Sequence, residues 1–379
     1  MAAQITFRVL DHPSNGLLYV AYSTAGFQHA GSGHDTNRQN HAILWSSQAG
    51  AFSDLNPAKA GRRALSSGIN ACDGSRQVGW AEFGNLRAAL WSGTAESFVD
   101  LTPANSSGAV IYGLSGSQQG GYVLLPTRHA ALWSGTADSF VDLHPPQAET
   151  SWVFAINGSQ QVGQVDIHAA LWFGTAASMV KLHPKGAYES YAYGTSGSQQ
   201  VGMVRSFGSG YRAAFWSGTA DSFIDLNPEG SVQSMAYGIS GTWQVGAFDP
   251  KGGGFDSNAA LWSGTASSLV NLHTVLGPDY KLSVAKSVFS DGSTIYVAGY
   301  ALNSVTGVQE PILWTVTDPS APRSTKLEIT KDASNHPHIA VLGNSGMTFV
   351  LQSSKDLVTG IRWRPMSCPL THRNMNPRN

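Results

Sequence analysis

Residues Arg87–Pro103 read Arg-Ala-Ala-Leu-Trp-Ser-Gly-Thr-Ala-Glu-Ser-Phe-Val-Asp-Leu-Thr-Pro, and this segment decides the fold because it recurs along the chain. Near-identical copies begin at His129, His168, Arg212 and Asn258, and looser copies begin at His41 and Glu310. Each copy carries one tryptophan, at Trp45, Trp91, Trp133, Trp172, Trp216, Trp262 and Trp314. A repeat of roughly 40 to 50 residues is typical of a four-stranded propeller blade, so the sequence predicts an all-β, seven-bladed β-propeller.

The strands of one unit follow from period-two alternation and turn residues. In the fifth unit we expect strand A at Ser190–Ser196, B at Gln199–Arg205, C at Arg212–Ser217 and D at Ser222–Asn227. Glycines in the Ser-Gly-Ser-Gln and Ser-Gly-Thr-Ala pieces supply the positive φ that tight turns require. Each unit is therefore predicted to be one antiparallel meander.

The two ends of the repeat predict how the ring closes. Phe7–Pro13 resembles the end of strand D in the other units, so Gln4–Leu10 is expected to complete blade seven, whose other strands come from Ser283–Thr315. The propeller is thus assigned to residues 1–318. Residues 319–379 are expected to form a short β-rich, partly sandwich-like extension with strands at 326–329, 338–341 and 348–357 and a basic, disordered tail.

The repeat resembles a known family. Ala155–Gly163 reads Ala-Ile-Asn-Gly-Ser-Gln-Gln-Val-Gly, and His168–Trp172 reads His-Ala-Ala-Leu-Trp, which is similar to the HAF repeat of predicted extracellular bacterial proteins. This chain has Ala or Ile where that family has the Phe of His-Ala-Phe. The resemblance implies a bacterial source and an extracellular or periplasmic location, and it brings no catalytic residues with it.

Composition excludes several classes of partner. The formal net charge is −1 and the pI is near 6.9, which offers no basic surface for nucleic acid or anionic lipid. No apolar run reaches the length of a membrane-spanning helix. The two cysteines, Cys72 and Cys368, are too far apart in sequence for a zinc motif and are interpreted as incidental thiols.

Residues that recur in most units are predicted to be structural. His41, His129 and His168 open strand C and cannot converge on one metal ion, because strand C lies about 10 Å outside strand A. His144, His183 and His273 end strand D and are interpreted as polar caps for the strand ends. The seven repeat tryptophans are assigned to the core between blades.

Residues confined to one unit are the candidates for function. Aromatic residues at the start of strand A and polar residues in the long loops of blades six, seven and one give a predicted ligand site of Trp152, Tyr191, Tyr280, His34, Arg38 and Asp256. Carboxylates outside the repeat pattern give the candidate catalytic residues Glu149, Glu189 and Asp35. No metal ligands can be assigned, although a channel-bound Ca²⁺ is compatible with such carboxylates.

These features favour a secreted, non-catalytic propeller that binds carbohydrate or another cell-surface ligand. The first alternative is a Ca²⁺-assisted hydrolase of a lactone, ester or glycoside with its site at the mouth of the central channel. The second is a structural or adhesive module.

Overall fold

The computed structural model describes residues 4–12, 18–35, 37–46, 51–250 and 256–317, together with short strands between 326 and 367. The chain divides into two compact units, of which the larger comprises residues 5–290 and 295–316. This larger unit contains seven four-stranded antiparallel sheets. The prediction of an all-β, seven-bladed propeller is confirmed. No helix in these described ranges has the length and apolar character needed to cross a membrane.

The strands of the first four blades are given in the order A, B, C, D. Blade one has Tyr19–Ala25, Gln28–His34, Asn40–Ser46 and Phe52–Asp54. Blade two has Ser66–Cys72, Gln77–Glu82, Leu86–Trp91 and Val99–Asp100. Blade three has Ala109–Ser115, Gln118–Leu124, Arg128–Trp133 and Val141–Asp142. Blade four has Ser151–Asn157, Gln160–Val165, His168–Trp172 and Val180–Lys181.

The last three blades follow the same order. Blade five has Ala187–Ser196, Gln199–Ser206, Tyr211–Trp216 and Ile224–Asp225. Blade six has Ser234–Ser240, Trp243–Phe248, Asn258–Trp262 and Val270–Asn271. Blade seven has Tyr280–Ser290, Thr294–Asn303, Gln309–Thr317 and, as strand D, Gln4–Val9. A small hairpin, Ala58–Lys59 with Arg62–Arg63, lies between blades one and two.

Strand D is shorter than predicted. In blade five it begins at Ile224 and not at Ser222, because Ser222 belongs to a 3-10 turn. In blade five, Ser222 Oγ accepts a hydrogen bond from Ser217 N–H at 2.8 Å and donates one to the Thr219 carbonyl at 2.6 Å. These bonds hold Ala220–Ser222 as one 3-10 turn between strands C and D. Equivalent turns are Ala95–Ser97, Ala137–Ser139, Ala176–Ser178 and Ala266–Ser268, and a further 3-10 segment, Leu272–Val275, follows blade six.

The ring closes as predicted, by pairing the two ends of the repeat. The sheet of blade seven has the N-terminal strand Gln4–Val9 on its outer edge, beside Gln309–Thr317. Leu10, directly after that strand, is buried and donates its N–H to the Pro311 carbonyl at 2.9 Å. The first and last segments of the propeller are therefore held in one sheet, and no terminal blade has an unpaired face.

The repeat tryptophans form the core between blades, as predicted. All seven are fully buried at 0% exposure. Trp216, for example, packs with the apolar residues of blade four, among them Val162, Leu171 and Leu182. Burial of side chains this large supplies much of the stability of such a fold.

The smaller unit contains the C-terminal strands. Three two-stranded antiparallel sheets pair Lys326–Lys331 with Pro337–Leu342, Thr348–Phe349 with Met366–Ser367, and Gln352–Ser354 with Gly360–Arg362. The single strand expected at 348–357 is thus two strands, because its two halves pair with different partners. The basic tail is predicted to follow Leu357 and to end in disordered residues, and its last part, residues 368–379 with Cys368, lies outside the described residues.

Serine hydroxyls link neighbouring blades. Ser190 Oγ in strand A of blade five accepts the N–H of Ala169 from blade four at 2.9 Å and lies 2.8 Å from His183 Nδ1. His183 Nε2 lies 3.2 Å from the Ala187 carbonyl, so Nε2 carries the proton and Nδ1 accepts from the serine. Equivalent links are Ala42–Ser67–Asn56, Ala130–Ser151–His144, Ala213–Ser234–Asn227 and Ala259–Ser283–His273.

These links refine the interpretation of the histidines that end strand D. His144, His183 and His273 are predicted to cap the ends of their own strands. In the structure, each of these histidines also bonds to a serine in strand A of the next blade. Burial, assisted by His168 and Lys181, lowers the pKa of His183 to about 4, which is consistent with a neutral ring that accepts from serine. Burial likewise lowers the pKa values of His144 and His273.

A glutamine at the start of strand B fixes the turn between strands C and D. Gln161 Oε1 accepts the N–H of Gly174 at 2.7 Å, and the side chain is fully buried. Equivalent pairs are Gln77–Gly93, Gln119–Gly135, Gln200–Gly218 and Gln244–Gly264. The second glutamine of the Gln-Gln-Val-Gly motif is therefore explained by the blade itself. In blade one His29 occupies this place.

The glycine of the same motif permits a bulge in strand A. In blade five the register between strands A and B passes from Ala192 to Gly194 and leaves Tyr193 without a partner. A Cβ atom on Gly202, opposite Ala192, would lie 1.8 Å from the Tyr191 carbonyl oxygen, so only glycine fits. Every blade has this bulge, and its unpaired residues are Tyr22, Asn70, Tyr112, Phe154, Tyr193, Tyr237 and Lys286.

Candidate functional site at the channel

The seven bulge residues line the central channel. The A strands of neighbouring blades contact one another around the whole ring, so they surround its axis. None of the seven bulge side chains is fully buried, and Tyr22 is 37% exposed. Five are aromatic, one is an amide and one is a lysine. We call this set the channel ring.

Consecutive members of the channel ring touch. The centroids of Tyr112 and Phe154 are 5.6 Å apart, those of Phe154 and Tyr193 are 5.4 Å apart, and those of Tyr193 and Tyr237 are 5.6 Å apart. Lys286 Nζ lies 3.7 Å from the centroid of Tyr237. Blades three to seven thus present a continuous surface of aromatic faces that ends on an ammonium group.

Two arginines extend this surface toward the edge that carries the D–A and B–C loops. Arg128, in blade three, lies 5.6 Å from the ring centroid of Tyr122 and 5.4 Å from that of Trp152. Tyr122 in turn lies 6.1 Å from Tyr112 of the channel ring. The predicted ligand residue Trp152 is therefore half-buried beside a cation and next to the channel.

In blade five the second arginine, Arg205, also lies against two aromatic rings. Arg205 lies 5.0 Å from the ring centroid of Tyr188 and 5.2 Å from that of Tyr211. Its Nε is 2.7 Å from Glu189 Oε1, a close ion pair that lacks the alignment of a hydrogen bond. Phe207 packs edge-on against Tyr188 and is 89% exposed. An aromatic side chain this exposed contributes little to the core, which makes it a candidate for contact with a ligand.

Tyr191 joins this group to the channel. Its ring stacks on Tyr193 at 6.1 Å with an interplanar angle of 25°, and its hydroxyl donates to Glu189 Oε2 at 3.3 Å. Burial and the neighbouring Glu189 raise the pKa of Tyr191 to about 12, so the hydroxyl stays a donor at physiological pH. We call the set Tyr122, Arg128, Trp152, Tyr188, Glu189, Tyr191, Arg205, Phe207 and Tyr211 the mouth cluster.

The three predicted catalytic carboxylates do not share one set of partners. Glu189 is 8% exposed and is paired with Arg205. Asp35 accepts the N–H groups of Asn37 and Gln39, each at 2.8 Å, and these bonds lower its pKa. Glu149 is exposed, in the loop before strand A of blade four, and no contact within the described ranges joins it to Glu189 or Asp35.

Glu149 lines an open groove between the outer strands of blade three and the loop that leads into strand A of blade four. The groove has a volume of about 760 Å³ and includes His129, Asp142 and His144. The rings of His129 and His144 stack at 3.9 Å, and His129 Nδ1 lies 2.9 Å from Asp142 Oδ2. Each histidine thus bonds locally, which agrees with the structural role predicted for it.

A calcium site finds no support in this arrangement. Across the described residues, no group of three or more His, Cys, Asp or Glu side chains is placed to hold a metal ion. Calcium is bound by six to eight oxygen ligands, whereas Asp35, Glu149 and Glu189 each have separate partners.

The predicted ligand residues of blades six, seven and one each contact a different partner, and no hydrogen bond or ion pair in the described part of the chain joins one of them to another. Tyr280 donates its hydroxyl to Glu310 Oε2 at 2.6 Å, and Asp256 lies 3.7 Å from Lys281 Nζ. The His34 carbonyl accepts the hydroxyl of Tyr19 at 3.0 Å, and Arg38 is exposed in the loop that Asp35 organises. Parts of these loops, at 13–17, 36 and 251–255, lie outside the described residues.

Several residues of the site were missed from sequence. Tyr112, Phe154, Tyr193, Tyr237 and Lys286 share one position of the repeat and differ in character, which is the signal that could have found them. The sequence pattern does not reveal this position, because the bulge leaves the alternation of apolar residues unchanged. The bulge nevertheless turns the side chain at this position toward the channel. Arg128 and Arg205, which lie in strands next to the B–C loops, were also missed.

Known structures share the fold. The sequence matches no protein-family model and no curated protein. A puromycin hydrolase aligns with a TM-score of 0.52 at 12% identity over 88% of this chain and 59% of its own. A puromycin-hydrolyzing peptidase of Mycobacterium tuberculosis gives 0.51 at 13% identity over 88% of this chain and 57% of its own. An oligogalacturonate lyase of Vibrio parahaemolyticus gives 0.51 at 10% identity over 84% and 98%.

These likenesses concern the architecture alone. Identities of 10 to 13% are too low to carry over substrates or residues. This chain also spans only 59% and 57% of the two puromycin-hydrolysing proteins. The chain is a seven-bladed β-propeller, and its function has to be inferred from its own channel and mouth cluster.

Proposed function

We propose that this protein is a non-catalytic binding propeller that takes a carbohydrate at the mouth of its channel. One observation carries the proposal: the mouth cluster and the channel ring form a continuous run of aromatic faces interleaved with two arginines and one glutamate. Sugar rings present C–H faces that stack on aromatic side chains, and their hydroxyls bond to charged groups.

The contacts within the cluster favour binding over catalysis. Arg205 and Glu189 are already paired, and Arg205 is held between two tyrosines, so both groups are preorganised to accept or donate without rearrangement. Hydrolysis of a glycoside would in most families need two carboxylates flanking the scissile bond. Glu189 has no carboxylate partner among the described residues.

The resemblance to the HAF repeat adds a location to the proposal. A bacterial, extracellular or periplasmic protein with this site would meet glycans of a cell surface, which is also compatible with an adhesive role. Export can be tested by fractionating cells that express the full-length gene product. Retention in the cytosol would remove this part of the proposal and leave the binding site unaffected.

A glycan panel tests the binding function. We expect the purified protein to bind a subset of glycans and expect Trp152→Ala and Tyr191→Ala to weaken that binding about tenfold each, which corresponds to losing one aromatic contact. Phe173→Ala is the matched control, since Phe173 is also an exposed aromatic residue but lies in a C–D turn at the opposite edge. Binding that survives both mouth variants would contradict the site.

The groove at Glu149 supports a second candidate function. It places a carboxylate beside two histidines and Asp142, which are groups that could act as general acids or bases on an ester, lactone or glycoside. Turnover of such substrates that is lost in Glu149→Gln and kept in Trp152→Ala would establish hydrolysis there. No turnover by the wild-type protein would exclude this candidate.

A further inference from the structure

Lys286 is the only charged member of the channel ring. The other six blades have Tyr22, Asn70, Tyr112, Phe154, Tyr193 and Tyr237 at the same bulge position. A residue that recurs is explained by the blade, whereas a charge confined to one copy needs another reason. The fold itself accepts a neutral side chain here six times.

Among the residues that the structure describes, the ammonium of Lys286 has no anionic partner. Its closest described contact is the face of Tyr237, and no ion pair or hydrogen bond joins Nζ to another side chain in the described part of the chain. An aromatic face compensates a desolvated cation only in part. The position is therefore one where an anion would be stabilised on arrival.

The groups that face Lys286 do not supply that anion. Tyr237 of blade six contacts Lys286, and Tyr300, from strand B of blade seven, interacts electrostatically with Tyr237 and with Tyr22 of blade one. Burial raises the pKa of Tyr237 to about 12 and raises those of Tyr22 and Tyr300, so all three are neutral at physiological pH. Burial also lowers the pKa of Lys286 to about 8, with no carboxylate to oppose it.

Lys286 lies at the end of the aromatic surface that begins in the mouth cluster. Tyr191 stacks on Tyr193, Tyr193 contacts Tyr237, and Tyr237 contacts Lys286. A chain of sugar rings stacked at the mouth can therefore direct one substituent into the channel. Ring stacking and charge recognition would act on the same ligand.

We propose that the ligand of this propeller is an acidic glycan, whose negatively charged group binds beside the ammonium of Lys286. This inference rests on the proposed carbohydrate-binding function and specifies the class of sugar. A carboxylate and a sulfate would both satisfy the ammonium, so the shared requirement is one anionic substituent on the ring that enters the channel.

Matched glycan pairs test the inference. The probes are uronic acid oligosaccharides with their methyl esters, and sulfated oligosaccharides with their unsulfated forms, measured by calorimetry on the full chain. We expect acidic members to bind about tenfold more tightly than their neutral partners and expect Lys286→Met to abolish that preference. Lys281→Met is the control, because it makes the same change at an exposed lysine five residues earlier on the same strand. Preference for the uronic acid or the sulfate pair distinguishes the two anions.

Three outcomes separate this inference from the proposed function. Equal binding of acidic and neutral members, or a preference that survives Lys286→Met, overturns the acidic ligand and leaves carbohydrate binding intact. No binding to any glycan overturns both. If Lys286→Met fails to fold, Lys286→Arg should keep the preference, and in the wild-type protein that preference should shrink as salt is raised; a salt-independent preference overturns the inference.

Discussion

The space between the blades and the channel at their centre are built from the same repeat and use it in opposite ways. Between blades, equivalent positions recur: a fully buried tryptophan in all seven blades, a serine linked to the preceding blade in five, and a glutamine that fixes the C–D turn in five. In the channel, equivalent positions hold tyrosine, phenylalanine, asparagine or lysine. The positions that recur between blades therefore stabilise the fold, whereas the positions that vary line the candidate site.

The strongest way to break this comparison is to remove a tryptophan from each region. We expect Trp216→Ala to cost about 3–5 kcal/mol of unfolding free energy, because the side chain is fully buried and leaves a large cavity. Trp152→Ala, at the half-buried mouth, should cost less than about 1 kcal/mol. Denaturant unfolding of both variants measures the difference, and equal losses would contradict the division between core and site.

His29 offers a sharper test, since it replaces the repeat glutamine in one blade. Burial, assisted by Arg8, lowers its pKa to about 4, so folding favours the neutral ring. The stability that this provides is present above pH 6.5, the ordinary histidine value, and is lost as pH falls toward 4. Compared with His29→Gln, the wild-type protein should lose about 3 kcal/mol more between pH 7 and pH 4.

The measurement for His29 is the difference between two pH profiles of unfolding free energy. Other groups, including the carboxylates, titrate alike in both proteins and cancel in that difference. Parallel profiles would show that His29 is protonated as easily in the folded protein as in the unfolded chain. They would contradict the buried neutral histidine.

Removing one serine link tests the outer repeat at smaller scale. Ser190→Ala leaves the buried N–H of Ala169 and the ring of His183 without their partner, at a cost of about 1–2 kcal/mol. The control is Ser217→Ala, because Ser217 is exposed in the turn between strands C and D of blade five. This substitution should change the unfolding free energy by less than about 0.5 kcal/mol. Thermal and denaturant unfolding distinguish the two, and similar values would show that the links between blades are dispensable.

The smallest effect on folding is expected at Phe207. This side chain is 89% exposed, so Phe207→Ser should leave the unfolding free energy within about 0.5 kcal/mol of wild type. Glycan affinity should nevertheless fall severalfold if Phe207 contacts the ligand. A stability loss above 1 kcal/mol would place Phe207 in the fold and not in the mouth cluster.

The fold was predictable from the sequence because its cause is repeated along the chain. The seven repeat tryptophans, from Trp45 to Trp314, gave the number of blades, and the Phe7–Pro13 segment located the closing strand. Turn glycines such as Gly197, at φ +58°, gave the ends of the hairpins. The error in strand D arose because Thr219 and Ser222 form a 3-10 turn through their own hydrogen bonds. Such local bonds compete with extended structure.

The candidate site was predictable only in part. Trp152, Tyr191 and Glu189 were identified because they depart from the repeat, and they now form part of one cluster with Arg128 and Arg205. Tyr280, His34, Arg38 and Asp256 also depart from the repeat, yet their contacts lie elsewhere. A departure from the repeat shows that a position is special, but it does not show which positions meet.

By itself, therefore, the sequence determined the number of blades, the closure of the ring and the uniform core, because each depends on residues at a regular spacing. Only the tertiary structure decided what lines the channel. The glycine of strand B lets the A strand bulge, and the bulge turns one residue of each blade toward the axis. Those seven residues are distant in the chain, and the packing of each blade against the next brings neighbours such as Tyr237 and Lys286 together.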